Sequence, residues 1–378
     1  MHYIDSSNGA TYPVSTARWR GDSGAYLNLA LGPGLKRGEI DPAKRSIWRY
    51  AQAIAVDVRH AVTMGEGGTP LIPGVWDGVA VSFKLEFMMP TGSFKDRGMT
   101  VMVSYLKSRG IDHVLEDSSG NAGASLSAYA AAAGMRCRIL VPETASYPKI
   151  AQIAACGADV VTVPGTRQAV AEAAERMSDE IFYASHNWQP FFIEGTKTLA
   201  YELWEDHGFR APDNVVTPLG YGSNVLGLAR GFDELLRNGE IERMPRIYAV
   251  QAAHCAPCHA AWAAGGEGAV PIEVKSTVAE GIASSKPTRL REVLRAVRDT
   301  GGAIAAVSEE AIIKALGTFA GKGLYIEPTS ASVGAALTQW IGDGTLKRSE
   351  NTVVVLTGSG LKSSERIGQL LGAKARTL

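Results

Sequence analysis

From residue 81 onward, short runs of β-branched and apolar residues alternate with longer segments in which apolar residues recur at helical spacing. Helices are expected in the longer segments, for example over 122–133 and 167–177. This alternation predicts crossover connections and mainly parallel sheets with helices on both faces, which is the α/β fold class. The runs predict seven strands, over residues 81–83, 113–116, 137–141, 159–163, 214–218, 246–250 and 352–356.

Several of the predicted strands are followed by turns of small residues. SSGN begins at Ser118, GYGSN begins at Gly220 and TGSG begins at Thr357. In parallel sheets, ligands bind beyond the carboxyl ends of the strands, which is where these turns fall. We therefore expect the chemistry of the protein to lie in these turns.

Length, composition and charge exclude several classes of function for this chain. A length of 378 residues predicts two domains, because single hydrophobic cores stop growing near about 250–300 residues. With 38 basic and 38 acidic side chains, the chain lacks the basic excess typical of a protein that binds nucleic acid. No membrane span and no secretory signal are expected, and 4 cysteines do not make a disulfide framework. These features predict a soluble, cytoplasmic protein without a nucleic-acid or membrane partner.

The GYGSN turn follows a predicted strand and precedes a helical run over 225–236. Closely spaced glycines there would let several backbone N–H groups converge on an anion at a helix N-terminus, and a phosphate is the natural ligand. A plain tight turn is one alternative. A dinucleotide site is another, but the third glycine of G-x-G-x-x-G would fall at Val225, and the next strand is followed by Gln251 instead of an acidic residue.

Two other turns have both a functional and an ordinary interpretation. The turn at Ser118 presents hydroxyl and amide groups that suit a carboxylate, although Ser and Asn are also common helix N-caps. Lys95 lies in a turn just before a helix predicted over 100–107, and a helix N-terminus is an unfavourable place for a cation. Such an amine can form a Schiff base with a carbonyl cofactor. A solvated lysine paired with Asp96 is the ordinary alternative.

Four loops occur together and in this order: PTGSFKDRG around Lys95, then SSGNAG, GYGSN and TGSG. With GEGGTPL ahead of them, the chain resembles pyridoxal-phosphate enzymes of the tryptophan-synthase-β type, known as fold type II. GEGGTPL, EGTKT and LTGSGLK make it most similar to the threonine synthase family within that class. The resemblance runs from about Trp48 to Lys362 and so covers most of the chain.

The resemblance implies a two-domain fold of three-layer αβα domains with mainly parallel sheets, and a homodimer. The larger, cofactor-binding domain would comprise residues 61–97 and 205–378. The smaller, mobile domain would comprise residues 98–204. Residues 1–60 carry turn signals and scattered aromatic residues, and they resemble the zinc-ribbon-like start of threonine synthases.

The resemblance also implies a role for each motif residue. Lys95 would hold pyridoxal 5'-phosphate as a Schiff base and then, as the catalytic residue, move protons. Asn121 would contact the phenolic oxygen of the cofactor ring, and Thr357 would face the pyridine nitrogen. A neutral hydroxyl there weakens the ring as an electron sink, which favours elimination and replacement over transamination. The cofactor phosphate would be bound by Gly220, Tyr221, Gly222, Ser223 and Asn224, and the substrate carboxylate by Ser118, Ser119, Asn121 and Ala122.

One segment departs from the family pattern. Threonine synthases commonly carry NP-x-R-LEG-x-KT, in which the arginine belongs to the phosphate-binding end of the site. Residues 187–195 read NWQPFFIEG here and are aromatic where that arginine is expected. The turn PGTR, which ends at Arg167, lies nearby in the order of the family and is a candidate for a substitute cation. A leaving group other than phosphate is therefore left open.

These observations predict a lyase that acts on a small amino acid as a threonine synthase, converting O-phospho-L-homoserine and water to L-threonine and phosphate. The alternative is a β-eliminase or β-replacement enzyme of the same fold, similar to serine and threonine dehydratases or to a phosphoserine-utilising synthase. A non-catalytic ligand-binding relative is disfavoured, because Lys95, Asn121 and Thr357 are all present.

No metal site is expected. Asp5 and Asn8 stand where the family's ribbon often has cysteine ligands, so no zinc is implied there. The run from Cys255 to His259 matches the haem-attachment pattern C-x-x-C-H, but attachment needs an exported chain. A redox or zinc pair with His254 is a further alternative, and the start of a helix after a strand is the ordinary interpretation.

Overall fold

The computed structural model describes residues 1–143, 145 and 147–372. It confirms the α/β fold class, and each of the seven predicted strands is present with small differences at its ends. The strands are β1 (His2–Asp5), β2 (Thr11–Pro13), β3 (Leu27–Leu29), β4 (Leu71–Trp76), β5 (Val79–Lys84), β6 (His113–Glu116), β7 (Arg136–Pro142), β8 (Asp159–Val163), β9 (Phe182–Tyr183), β10 (Asn214–Pro218), β11 (Arg246–Ala252), β12 (Ala303–Val307) and β13 (Thr352–Val355).

Helices connect these strands. The α-helices are α1 (Lys95–Ser108), α2 (Asn121–Ala133), α3 (Tyr147–Ala155), α4 (Arg167–Met177), α5 (Pro190–Thr196), α6 (Thr198–Asp206), α7 (Ser223–Arg237), α8 (Pro257–Ala263), α9 (Leu290–Asp299), α10 (Glu309–Gly321), α11 (Pro328–Gly342) and α12 (Ser364–Leu371). Short 3-10 helices span Arg37–Glu39, Ile47–Ala53, Val58–His60, Glu86–Met88, Ala253–Cys255, Glu280–Ile282 and Gly360–Ser363.

The largest sheet has six strands in the order β12-β11-β10-β13-β5-β4. All neighbouring strands are parallel except β4 and β5, which pair antiparallel. Strands β10 and β13 are buried along their whole length, as is typical of parallel strands covered on both faces. Helix α11 packs against β10, β11 and β12. The GYGSN and TGSG turns follow β10 and β13, so both leave this sheet at the carboxyl ends of its central strands.

The second sheet has four parallel strands in the order β8-β7-β6-β9. Strand β6 leads into the SSGN turn, and α2 follows that turn directly. Helices α1 and α2 pack against each other, and Met102, Leu126 and Ile139 belong to one continuous apolar core. This sheet therefore carries the SSGN turn at the carboxyl end of a strand that has a neighbour on each side.

The start of the chain forms a three-stranded antiparallel sheet, β2-β1-β3, which the sequence pattern did not predict. Tyr3 on β1 is fully buried and its hydroxyl donates to the hydroxyl of Tyr105 on α1 at 2.6 Å. The ring of Phe191 stacks on the ring of Tyr105 with 3.6 Å between centroids. These contacts join the N-terminal strands to the core of the four-stranded sheet.

The chain divides into two compact units of three segments each. The first unit comprises Met1–Gly68, Met89–Glu202 and Asp233–Glu240, and the second comprises Thr69–Met88, Leu203–Phe232 and Ile241–Leu378. The two units are the parts of the chain that pack together, and they do not show what each part binds. The three-part division into cofactor-binding, mobile and N-terminal regions therefore stays a prediction. Within the described ranges, every helix is too short or too polar to cross a bilayer.

Helix α1 begins at Lys95, although the sequence predicted a turn there and a helix from Thr100. In the structure Gly98 lies inside α1, and a Cβ at this position would come within 2.4 Å of the Phe192 ring on α5. A Cβ at Gly195 on α5 would likewise lie 2.0 Å from the backbone oxygen of Arg97. The two glycines therefore permit a close crossing of α1 and α5.

This crossing gives a test of the packing in the first unit. We expect Gly195→Ala to lower the free energy of unfolding by about 1–3 kcal/mol, because the backbone of Arg97 cannot move aside as a flexible side chain would. Gly317→Ala in α10 is the control, since its Cβ would meet only Leu371 at 3.6 Å. We expect the control to raise the free energy of unfolding by about 0.5–1 kcal/mol. Urea unfolding followed by circular dichroism measures both, and equal effects would contradict the close crossing.

Candidate active site

Lys95 is the first residue of α1 and is half-buried. Its Nζ lies 4.4 Å from the centroid of the Phe94 ring and 5.5 Å from the centroid of the Phe192 ring. Aromatic faces attract an ammonium group, but they offer it no hydrogen-bond acceptor comparable to water. The amine thus stands at a helix N-terminus against apolar surfaces, which is an environment where an amine can act as a nucleophile.

Asp96 ties the lysine loop to α2. Its carboxylate is fully buried and accepts hydrogen bonds from the backbone N–H of Thr91 at 2.7 Å and from the Thr91 hydroxyl at 2.6 Å. It also accepts from the hydroxyl of Ser125 on α2 at 2.5 Å. These three donors hold the loop that precedes Lys95, and they join it to the helix that follows the SSGN turn.

The SSGN turn places its hydroxyls between β6 and α2. The N-cap of α2 is Gly120, and no side chain caps the helix, so the interpretation of this turn as an ordinary Ser or Asn cap is wrong. A Cβ at Gly123 would lie 1.9 Å from the backbone oxygen of Ser118, so the turn runs directly against the first turn of the helix. Ser118, Ser119 and Asn121 are half-buried there, beside backbone N–H groups that have no acceptor within the helix. This arrangement suits a carboxylate.

In the second unit, the GYGSN turn joins β10 to the 15-residue helix α7. Gly222 has φ +97°, and a Cβ there would meet Val293 at 2.2 Å, so this position requires glycine. Asn224 is buried, and its Oδ1 has no hydrogen-bond partner among the described residues. Because rotation of the amide exchanges O and N, the same position can donate to an anion. The backbone N–H groups at the start of α7 and the amide position of Asn224 that has no partner among the described residues together fit a phosphate group.

The dinucleotide alternative for the GYGSN turn is not supported. Gln251 at the end of β11, where an acidic residue would hold a ribose, is fully buried. Its side chain donates to the backbone oxygen of Leu219 at 3.3 Å and accepts from the backbone N–H of His259 at 3.0 Å. Gln251 therefore serves the fold and not a ligand.

The TGSG turn, also in the second unit, carries a pair of hydroxyl groups. The Oγ1 of Thr357 lies 2.9 Å from the Oγ of Ser330 on α11, and both residues are buried. Ser330 also accepts from the backbone N–H of Gly358 at 2.9 Å. A Cβ at Gly358 would come within 2.2 Å of the Glu327 carboxylate, so the turn has no space for a side chain there. The turn at this strand end therefore carries the neutral hydroxyl groups of Thr357 and Ser330, with the Glu327 carboxylate close by.

Of a cluster of charged and titratable residues near Lys95, sequence reasoning singled out Arg167 and missed Glu116, Asp117 and His186. Glu116 ends β6, and both of its carboxylate oxygens lie 3.3 Å from Nδ1 of His186. The next residue, Asp117, forms a 2.6 Å ion pair with Arg167 at the start of α4. Burial raises the pKa of both carboxyl groups. Burial and the charge of Lys95 hold the pKa of His186 well below its usual range. Glu116 and Asp117 lie directly before SSGN, which is the one sequence signal that could have pointed to them.

The aromatic segment that replaces the expected arginine also lies in the first unit. The ring of Phe192 packs on Gly98 and near Lys95, and its centroid is 5.5 Å from that of the His186 ring. Phe192 thus fills the space beside the lysine with an apolar ring.

The sequence-predicted residues fall into two sets. Lys95, Ser118, Ser119, Asn121 and Ala122 lie in the first unit, whereas Gly220, Tyr221, Gly222, Ser223, Asn224 and Thr357 lie in the second. Each set gathers at strand ends or helix starts of its own sheet. Their roles toward a cofactor and a substrate stay predictions.

The C-x-x-C-H run is the start of a helix, as its ordinary interpretation predicted. Helix α8 begins at Pro257, and both Cys255 and Cys258 are fully buried. Burial raises the pKa of Cys258 to about 12, which disfavours the thiolate that a metal or a redox reaction needs. Among residues 1–143, 145 and 147–372, no group of three or more His, Cys, Asp or Glu side chains is placed to hold a metal ion.

Comparisons with known proteins agree on one family. A family model described as pyridoxal-phosphate dependent enzyme matches residues 62–358. The threonine synthase of Methanocaldococcus jannaschii is 32% identical over 374 residues, covering 94% of this chain and 92% of that protein. The threonine synthase of Mycobacterium tuberculosis is 35% identical over 312 residues, covering 80% of this chain and 84% of that protein.

Solved structures show the same fold at lower identity. A fungal L-serine ammonia-lyase from Rhizomucor miehei has a TM-score of 0.70 at 20% identity, covering 81% of this chain and 98% of that chain. The processed form of threonine deaminase isoform 2 from Solanum lycopersicum has a TM-score of 0.69 at 21% identity, covering 92% of each chain. These likenesses confirm the fold-type II architecture.

The Asp96 contacts give a test of the lysine loop. In Asp96→Asn, one amide oxygen can still accept from both hydroxyls, but the NH₂ group then faces the backbone N–H of Thr91. Two opposed donors in a buried site should lower the free energy of unfolding by about 1–3 kcal/mol. Asp57→Asn is the control, because Asp57 pairs with Arg59 at the surface, where water and salt screen the pair, and its loss should lower the free energy of unfolding far less. Urea unfolding compares the two variants, and an unchanged midpoint for Asp96→Asn would contradict the network.

Proposed function

We propose the following function because this chain belongs to the threonine synthase family of pyridoxal-phosphate-dependent enzymes. It is a lyase that converts O-phospho-L-homoserine and water to L-threonine and phosphate. The observation that carries this proposal is the match to threonine synthases over nearly the whole chain, and the family model, which matches residues 62–358, covers Lys95, the SSGN and GYGSN turns and Thr357. A homodimer and a cytoplasmic location are further parts of the proposal, which the resemblance to the family implies.

Pyridoxal phosphate is the cofactor, and when bound it stabilises the negative charge left on a substrate carbon that loses a proton. We propose that Lys95 holds its aldehyde carbon and that residues 220–224 bind its phosphate. The unpaired amide of Asn224 and the cradle at Gly222 support the phosphate site. Thr357, paired with Ser330, would donate its hydroxyl proton to the ring nitrogen, and Asn121 would contact the phenolic oxygen.

The substrate would be held at its carboxylate end by the SSGN turn. Ser118 and Ser119 offer hydroxyl donors, and the backbone N–H groups at Asn121 and Ala122 begin α2. With the cofactor and a substrate bound, Nζ of Lys95 would be the group that takes the proton from the α carbon of the substrate. The aromatic rings of Phe94 and Phe192 beside Nζ keep water from competing for that proton.

The phosphate end of the substrate needs a cation, and Phe192 does not supply one. We propose that Arg167 serves this purpose, because its ion pair with Asp117 places it directly beside the SSGN turn. The pair is formed with a buried carboxylate, while the guanidinium side chain is 41% exposed and so remains accessible to a second anion. Arginine binds phosphate through two parallel N–H donors, which suits this assignment.

A smaller leaving group is the second candidate, and the packing of Phe192 against Gly98 favours it. The apolar ring takes up space beside Lys95 that a bulky phosphate would otherwise use. The enzyme would then catalyse β-elimination or β-replacement on serine or threonine, from which a hydroxyl group leaves.

Turnover of one substrate tests the proposed function. We expect the cofactor-loaded protein to release phosphate and threonine from O-phospho-L-homoserine in equal amounts. Lys95→Ala should abolish turnover and the absorption band of the bound cofactor, whereas Lys107→Ala at the exposed end of the same helix should retain both. A cofactor band without turnover would exclude this substrate, and L-serine, L-threonine and O-phospho-L-serine would be assayed next.

Arg167 has a test of its own. We expect Arg167→Gln to raise KM for O-phospho-L-homoserine by about 10- to 100-fold, as loss of a charge-assisted hydrogen-bond pair predicts. The cofactor absorption band should not change. Arg176→Gln, on the exposed face of the same helix, is the matched control and should leave KM unchanged. If Arg167→Gln has the KM of the parent enzyme, another group binds the phosphate.

A further inference from the structure

A histidine and a glutamate form a buried pair beside the catalytic lysine. His186 is 7% exposed and Glu116 is fully buried. Nδ1 of His186 lies 3.3 Å from each carboxylate oxygen, and the backbone N–H of His186 donates to Oε2 of Glu116 at 3.0 Å. Two contacts from one residue to one carboxylate fix the orientation of the imidazole ring. With Nδ1 toward Glu116, Nε2 lies on the opposite side of the ring.

The ring of Phe192 joins this pair to Lys95. Its centroid lies 5.5 Å from the centroid of the His186 ring and 5.5 Å from Nζ of Lys95. His186 and Lys95 are therefore neighbours of the same apolar ring within the first unit. They are also close enough for the charge of Lys95 to act on the imidazole.

Four charged or titratable groups face His186. Glu116 and Asp117 come from the end of β6, Lys95 from α1 and Arg167 from α4. Burial, Lys95 and Arg167 lower the pKa of the imidazole, and Asp117 opposes them. These surroundings disfavour the protonated form of the imidazole, and in a neutral imidazole the ring nitrogen that carries no proton is the one that can accept a proton.

The overall reaction also needs a proton to move from the β carbon to the γ carbon. Neither is the α carbon, from which Lys95 removes the first proton. The β carbon changes from CH₂ to CHOH, and the γ carbon changes from CH₂–O–phosphate to CH₃. A base must remove a β proton while the γ carbon–oxygen bond breaks and its electron pair leaves with the phosphate. An acid must then return a proton to the γ carbon, and water supplies the hydroxyl group at the β carbon.

We propose that His186, oriented by Glu116, is a second catalytic residue that moves this proton from the β carbon to the γ carbon through Nε2. The electron pair of the β C–H bond becomes the carbon–carbon double bond as phosphate leaves, and the protonated imidazole afterwards gives its proton to the γ carbon. Proton numbers balance, because one β proton becomes one methyl proton. The inference rests on the proposed function, and Glu116 acts in it as a positioning residue.

The test uses L-2-aminobutyrate, which has the carbon skeleton of the substrate but no leaving group. In D₂O, the cofactor-loaded parent enzyme should exchange the α and the β protons of this probe, as followed by proton NMR. His186→Gln should retain α exchange, which needs Lys95, and lose β exchange by about 10²- to 10⁴-fold. Glu116→Gln should lose β exchange partially. His113→Gln, on the strand that carries Glu116, is the matched control and should exchange both.

A second measurement is independent of turnover. With ¹⁵N-labelled histidine, the NMR shifts of His186 should show a proton on Nδ1 in the parent protein, and Glu116→Gln should change that tautomer population. If His186→Gln is not folded by circular dichroism, His186→Asn takes its place in both measurements.

The outcomes separate this inference from the proposed function. Loss of β exchange in His186→Gln supports the proton-transfer role, even if O-phospho-L-homoserine is not turned over by the parent enzyme. Persistence of β exchange in that variant overturns the role, even if threonine is formed. Absence of β exchange in the parent enzyme also overturns it.

Discussion

Gly98 and Gly195 bring the backbones of α1 and α5 so close that neither position has room for a methyl group. Everything that surrounds Lys95 in the first unit depends on this approach. It sets the Phe192 ring against the start of α1, and the same ring is in edge contact with His186. A larger separation of the two helices would move the Phe192 ring away from Nζ of Lys95 and expose that amine to more water.

Buried charges then hold the loops around this crossing. Arg97, the residue after Asp96, donates to Glu202 at 2.9 Å, and the same carboxylate oxygen accepts from the backbone N–H of Gly68 in the GEGGTPL loop. Lys197, which directly follows α5, pairs with Glu194 at 2.7 Å and with Glu234 at 3.0 Å, and all three are fully buried. Removing one partner of such a pair typically costs about 3–5 kcal/mol, because a charge is left without compensation. These pairs therefore specify loop positions even where they add little net stability.

The sequence predicted the strands that have β-branched runs and missed those that lack them. Strand β12 reads AIAAV and has weak β-propensity, and strands β1 to β3 are only 3 or 4 residues long. The loop motifs were recognisable because each places several unusual residues side by side. His186 and Glu116 were not, because 70 residues separate them and only the parallel pairing of β6 with β9 brings the two segments together. Tertiary proximity of this kind has no signature in a single chain.

The replacement of the expected arginine by Phe192 changes how the site handles charge. A guanidinium at that position would stand near the Lys95 amine in a poorly hydrated place, whereas an aromatic face attracts the amine instead. The remaining cation, Arg167, is already paired with Asp117. A phosphate that shares Arg167 with Asp117 weakens the pairing of that carboxyl group, whose pKa is already raised by burial. Phosphate binding therefore favours the neutral form of Asp117, because a buried carboxylate with a weakened cation partner is more costly than a neutral acid. Recognition of the leaving group and the protonation state next to the SSGN turn are, on this reasoning, one coupled equilibrium.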